Sequence, residues 1–126
     1  MTMPSAAGPP LSTSRWIGDQ LHTSGIVAMT PGRDLSSDVN VQIQTIFDQL
    51  AGLLSSNDLS TSSVGSVSVY LASMEYFDAL NTAYREFFRP PYPVRTTISC
   101  GLFPGVLVEM SIIATGRNEQ RGEILP

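Results

Sequence analysis

The stretch Val106–Ala114, "VLVEMSIIA", limits the possible folds more than any other part of this chain. Successive side chains of a strand point to opposite faces of its sheet. Val106, Val108, Met110 and Ile112 therefore share one face, and Leu107, Glu109, Ser111 and Ile113 share the other. Both sets are largely apolar. A sheet built around this strand needs cover on both sides, because large apolar patches are rarely left in water.

The rest of the sequence supplies two helices. Ile43, Ile46, Phe47, Leu50, Leu53 and Leu54 recur at helical spacing, predicting a helix over about Val39–Ser55 capped by Ser37 or Asp38. Phe77, Leu80, Tyr84, Phe87 and Phe88 make the stripe of a second helix, capped by Ser73, complemented by Glu75 and stopped by Pro90-Pro91. Ile17-Gly18-Asp19-Gln20 reads as a tight hairpin turn between two short strands. Val67, Val69 and Leu71 mark a third strand, and Arg95–Gly101 and Val106–Ala114 a final pair around a turn at Leu102–Gly105. The order β-β-α-β-α-β-β predicts an α+β fold. It has a single mixed β-sheet of five to six strands with two helices on one face. Helices on one face leave the other uncovered, so a partner subunit is the natural cover. Residues 1–10 read as a flexible arm and residues 115–126 as a polar tail of one domain spanning 1–126.

Composition removes several function classes. The net charge of -4 is a poor profile for a nucleic-acid binder, which usually presents a basic face. All seven basic residues are arginine, so Schiff-base and phosphate-gripping lysines are excluded. One cysteine and one histidine give neither an intrachain disulfide nor zinc-ligand spacing, and no metal or cofactor is expected. The N-terminus lacks a signal-peptide pattern, and no apolar run approaches the ~20 residues of a membrane span. The expectation is a cytoplasmic protein with no membrane and no nucleic-acid partner.

Arg95 and Glu109 stand inside predicted strands, where charges are depleted and costly to bury unpaired. One reading is a cross-strand ion pair contributing up to about 1 kcal/mol. The other is a site. A guanidinium grips a carboxylate with two charge-assisted hydrogen bonds, and a nearby glutamate can position or deprotonate a water. Together they suit hydrolysis of a small acid with an electrophilic carbon. Elsewhere Cys100 reads as a packed core thiol, His22 as structural, Tyr84 and Phe87-Phe88 as core before pocket, and Trp16 as an interface cover.

"FDALNTAYREFF", "PVRTTIS" and "LVEMSIIA", following "PLSTSRWIGDQLHTSG" and "VQIQTIFDQLAGLL", resemble the RidA/YjgF family of reactive-intermediate imine deaminases over about residues 10–114. The resemblance implies a fold like Bacillus-type chorismate mutase. It also implies a homotrimer with the free sheet faces around a central barrel, and sites in clefts between subunits. The implied activity is cofactor-free hydrolysis of enamine or imine carboxylates, such as 2-aminoacrylate, to 2-keto acids and ammonia. Carried over, Arg95 is the carboxylate-binding arginine and Glu109 the residue that places the attacking water. Thr97, Ser24, Gly25 and Asn81 match cleft positions, with a capping role for Asn81 equally open. The sequence departs from the family at Leu11, where a tyrosine is usual, at Ser111, which replaces a second glutamate, and in the short "RPPYP" loop. These departures fit a divergent pocket. The alternatives are a trimer that binds a ligand or partner without catalysis, a deaminase dedicated to another substrate, and, least in keeping with the charge, the RNA cleavage or translation inhibition of some relatives.

Overall fold

The computed structural model describes residues 8–117. Residues 1–7 of the expected arm and 118–126 of the expected tail lie outside the described residues. Five strands and two helices follow in the order β1 (Ser14–Ile17), β2 (Gln20–Thr23), α1 (Val39–Ser56), β3 (Val64–Leu71), α2 (Phe77–Phe87), β4 (Val94–Ser99) and β5 (Val108–Thr115). The strands form one mixed sheet in the order β1-β2-β5-β3-β4.

Local chemistry sets the helix ends. The Asp38 side chain accepts from the Asn40 amide at 2.8 Å and starts α1. Ser73 caps a short 3-10 turn, Met74–Tyr76, that leads into α2. Gly18 adopts φ 60° in the two-residue turn that pairs Ile17 with Gln20. Along α1, Ile43, Ile46, Phe47, Leu50 and Leu54 are buried, and with Leu80 and Tyr84 of α2 they cover Val67, Val69, Leu71, Val108, Met110 and Ile112. Phe47 stacks on Phe87 at 4.3 Å and meets Phe88 edge-on at 6.2 Å. Both helices thus pack on one sheet face, and β5 alternates buried with half-buried residues along its length.

Three expectations need correction. β4 and β5 are not a hairpin. β4 runs parallel to β3, with Val67 opposite Arg95, and β5 lies antiparallel on the other edge of β3, with Tyr70 opposite Glu109. Parallel neighbours require a crossover, and α2 is that crossover. The loop after β4 then has to pass the end of β3, and the turn within it, closed by the Val106 amide donating to the Phe103 carbonyl at 2.9 Å, is not the expected hairpin turn over Leu102–Gly105. Trp16 faces the helices rather than an interface: its Nε1 donates to Asn57 Oδ1 at 3.2 Å. Cys100 is half-buried just past β4 and is not part of the core. In addition, β5 extends through Thr115, one residue into the expected tail.

The sheet face away from the helices keeps apolar groups in solvent. The register puts Ile17, Val94 and Ile98 there, and they are 54%, 71% and 44% exposed.

Candidate functional site

Arg95 shares the helix side of the sheet with Val67, its partner in β3. Its guanidinium lies over the Tyr84 ring at 4.8 Å and near the Phe77 ring at 5.6 Å. Aromatic faces attract a cation without using its N–H groups. Among the described residues no acid lies within ion-pair distance of Arg95. A fork aimed by π faces, with its donors unspent, is suited to a carboxylate.

The walls of this site come from the second helix and the loop behind it. Asn81, Tyr84 and Arg85 of α2, with Tyr92 and Pro93, surround a cavity of about 260 Å³ at Arg95. Among the described residues the Asn81 side chain forms no cap or loop tie, and it lines this cavity. Among the described residues the Tyr84 hydroxyl is buried without a hydrogen-bond partner, as is Oγ1 of Thr97, two residues along β4 from Arg95. Burial pushes the Tyr84 phenol above its ordinary 10.0, and the Arg95 charge pulls it partly back. The phenol is therefore neutral at physiological pH.

Glu109 lies elsewhere. It stands on the opposite face of the sheet from Met110 and Val108, and so on the opposite face from Arg95. It also lies two strands away. Two strand spacings of about 4.8 Å and three residues of about 3.3 Å each put the two backbones about 14 Å apart. A cross-strand pair within one chain is excluded.

Glu109 has its own neighbourhood. Its carboxylate fills the space a side chain at Gly25 would need: a Cβ there would overlap Oε2. The bridge between Ile26 and Met110, with N···O distances of 2.7 and 3.0 Å, holds this approach. Glu109 also borders a depression formed by Gly101, Leu102, Phe103 and Pro104. Ser24 adjoins Gly25 and donates to the Ser12 carbonyl at 2.6 Å, and with Leu11, His22 and Arg15 it lines a further cleft. Leu11 is 63% exposed there. His22 bonds Gln20 Oε1 at 3.0 Å.

The sequence-derived residues thus fall into separate places: Arg95 and Asn81 line one cavity, with Thr97 two residues along β4, Glu109 lies against Gly25 on the opposite sheet face, and Ser24 and Leu11 line the neighbouring cleft. Sequence reasoning missed Arg85 and Tyr92. Arg85 follows Asn81 by four residues and so sits on the same helix stripe, a signal that was present in the chain. Among the described residues no cluster of His, Cys, Asp or Glu could hold a metal, and no helix is long and apolar enough to cross a membrane.

The chain has relatives among known proteins in both sequence and fold. The family model described as Endoribonuclease L-PSP matches residues 3–116. A RutC family protein of Sulfurisphaera tokodaii is 27% identical over 109 residues, covering 84% of this chain and 87% of that protein. Reactive Intermediate Deaminase A, chloroplastic, of Arabidopsis thaliana is 27% identical over 115 residues, covering 89% of this chain and 61% of its own length. The crystal structure of RidA from the Antarctic bacterium Psychrobacter sp. PAMC 21119 superposes with a TM-score of 0.80 at 22% identity, covering 87% of this chain and 91% of that one, a likeness of fold. With a sheet of that topology and a family match over nearly all of its length, the chain belongs to the endoribonuclease L-PSP family, the RidA/YjgF proteins.

Proposed function

We propose that this protein is a cofactor-independent hydrolase of small 2-imino or enamine carboxylates, releasing the 2-keto acid and ammonia. The observation that carries the reading is Arg95: a guanidinium held by two aromatic rings with no acid partner among the described residues, at the edge of a cavity sized for a small acid. The Arabidopsis relative is named as a deaminase of reactive intermediates, which supports the same chemistry.

In this reading the substrate carboxylate binds Arg95, and Glu109 accepts a proton from the attacking water. The water oxygen bonds to the C=N carbon, and the proton passes to nitrogen. The hydroxyl proton of the resulting carbinolamine then moves to the amino nitrogen, the C–N bond breaks, and ammonia leaves as the C=O forms. The imine is already electrophilic, so positioning supplies most of what the reaction needs. Arg95 and Glu109 lie on opposite faces of one sheet, so the reaction needs two copies of the chain. A homotrimer that buries Ile17, Val94 and Ile98 would bring the Arg95 group of one copy to the Glu109, Gly25, Ser24 and Leu11 group of another, in a cleft between subunits. Thr97 and Asn81 would border the same substrate. The net charge of -4 argues against RNA as the substrate. A cytoplasmic location is part of the proposal, although the Arabidopsis relative is named as chloroplastic.

The test is ammonia release from imino acids generated in situ by an amino-acid oxidase. Arg95→Ala should abolish the acceleration with the circular dichroism spectrum unchanged, and an active Arg95→Ala protein would sink the assignment. A second reading, a trimer that binds 2-keto acids without turning over imines, is favoured by Leu11, an exposed aliphatic side chain where the family usually has tyrosine. Binding of 2-keto acids by a protein inactive on every imine would establish it.

A further inference from the structure

The Arg95 cavity holds a second cation. Arg85 lines it together with Arg95, and neither has a carboxylate within ion-pair distance among the described residues. Acids are not scarce: the chain has 11 acidic residues to seven arginines. Two guanidinium groups on one small cavity repel each other, and that arrangement suits a ligand carrying two negative charges. The remaining walls fit such a ligand. Asn81 is one helical turn before Arg85 and offers an amide, while the rings of Tyr84 and Tyr92, 6.4 Å apart, form flat sides for a short carbon chain.

We propose that the preferred ligand is a 2-imino dicarboxylate, with the carboxylate beside the reacting carbon on Arg95 and the distal carboxylate on Arg85. This rests on the deaminase reading for the reaction, but the recognition it describes is a matter of binding alone. A purely apolar or aromatic side chain would use the tyrosine walls and leave Arg85 without a role.

The experiment separates the two claims. Isothermal titration of the whole protein with pyruvate, 2-oxobutanoate, phenylpyruvate, oxaloacetate and 2-oxoglutarate measures recognition. The dicarboxylates should bind about tenfold more tightly than the monocarboxylates, the effect of one charge-assisted contact. Arg85→Ala should erase that difference by weakening the dicarboxylates about tenfold more than pyruvate, and Arg85→Lys should keep part of it. Arg85 is exposed, so these variants should fold. Equal binding of the two classes, a preference for phenylpyruvate, an Arg85→Ala effect of the same size on both, or no binding of any 2-oxo acid would each overturn the proposal. In parallel, oxidase-generated imines of glutamate and alanine report turnover. A dicarboxylate preference in binding without acceleration of either imine would sink the deaminase reading and leave the recognition standing.

Discussion

Gln42 is fully buried in a helix face that is otherwise apolar, and replacing it with methionine tests how the loop beside Glu109 is held. Its Nε2 donates to the Ser36 carbonyl at 2.6 Å and to the Gly105 carbonyl at 2.9 Å, while its Oε1 accepts from the Leu107 amide at 2.9 Å. One side chain therefore ties α1 both to the segment before it and to the last turn before β5. Gln42→Met keeps the length and loses all three bonds. At about 1 kcal/mol net for each bond, the loss is about 3 kcal/mol. Gly105 is exposed, so its carbonyl can turn to water, whereas the Leu107 amide has less access. The more apolar methionine recovers part of the difference, which leaves a net cost of about 2 kcal/mol. For a chain of this size that is roughly 8 °C in melting temperature. Urea unfolding at fixed protein concentration gives the free energy, and amide hydrogen exchange at Leu107 should accelerate more than exchange within β3. A cost below about 0.5 kcal/mol, or unchanged exchange at Leu107, would show that the three bonds do not hold the loop.

Other outcomes follow from single contacts. Gly25→Ala should displace the Glu109 carboxylate and lower kcat for imine hydrolysis about a hundredfold, with little change in KM, as for loss of a positioned base; unchanged kcat would remove Glu109 from the chemistry. The raised Tyr84 pKa means the folded state resists ionisation that the unfolded chain allows from the ordinary value of 10.0 upward. Its contribution is complete below pH 10 and declines as pH rises from there through the higher folded value, so alkaline unfolding should begin later in Tyr84→Phe, as measured by fluorescence against pH. Ile98→Glu should place a charge on the exposed apolar face and shift the protein toward monomer in analytical ultracentrifugation; an unchanged mass would mean that this face is not the contact between copies.

What could be read from the chain was local. The α1 stripe, the Asp38 cap and the Gly18-Asp19 turn rest on neighbours within four residues, and each formed as its pattern indicated. The alternation of β5 was also legible, because period two survives whatever the strand pairs with. Strand partnership was not. Arg95 and Glu109 looked like opposite arms of one hairpin because a turn separates them, but parallel pairing through α2 moved β4 to the far side of β3. The distinction lies in which edge of β3 each strand takes, and no local residue encodes it. Resemblance carried the candidate residues further than pattern could, yet it named positions without saying that they divide between two sheet faces. Gln42 escaped for a simpler reason: at spacing four from Ile46, Leu50 and Leu54 it lies on the buried stripe, and a polar residue there signals a bonded loop that the sequence does not name.

The strand order has a consequence for synthesis. β2 pairs with β1 and β5, and β5 alone joins that N-terminal hairpin to β3 and β4. While the chain emerges from the ribosome, α1, β3, α2 and β4 can assemble as a unit with a parallel pair, but Ser14–Thr23 has no strand to join. The hairpin waits through some eighty residues of synthesis, at about 5–20 residues per second, until Val108–Thr115 slots between the two halves and completes the sheet. Until then one edge of β3 stays open to any other extended chain, and the nascent protein passes through its interval of greatest risk of aggregation just before its last strand arrives.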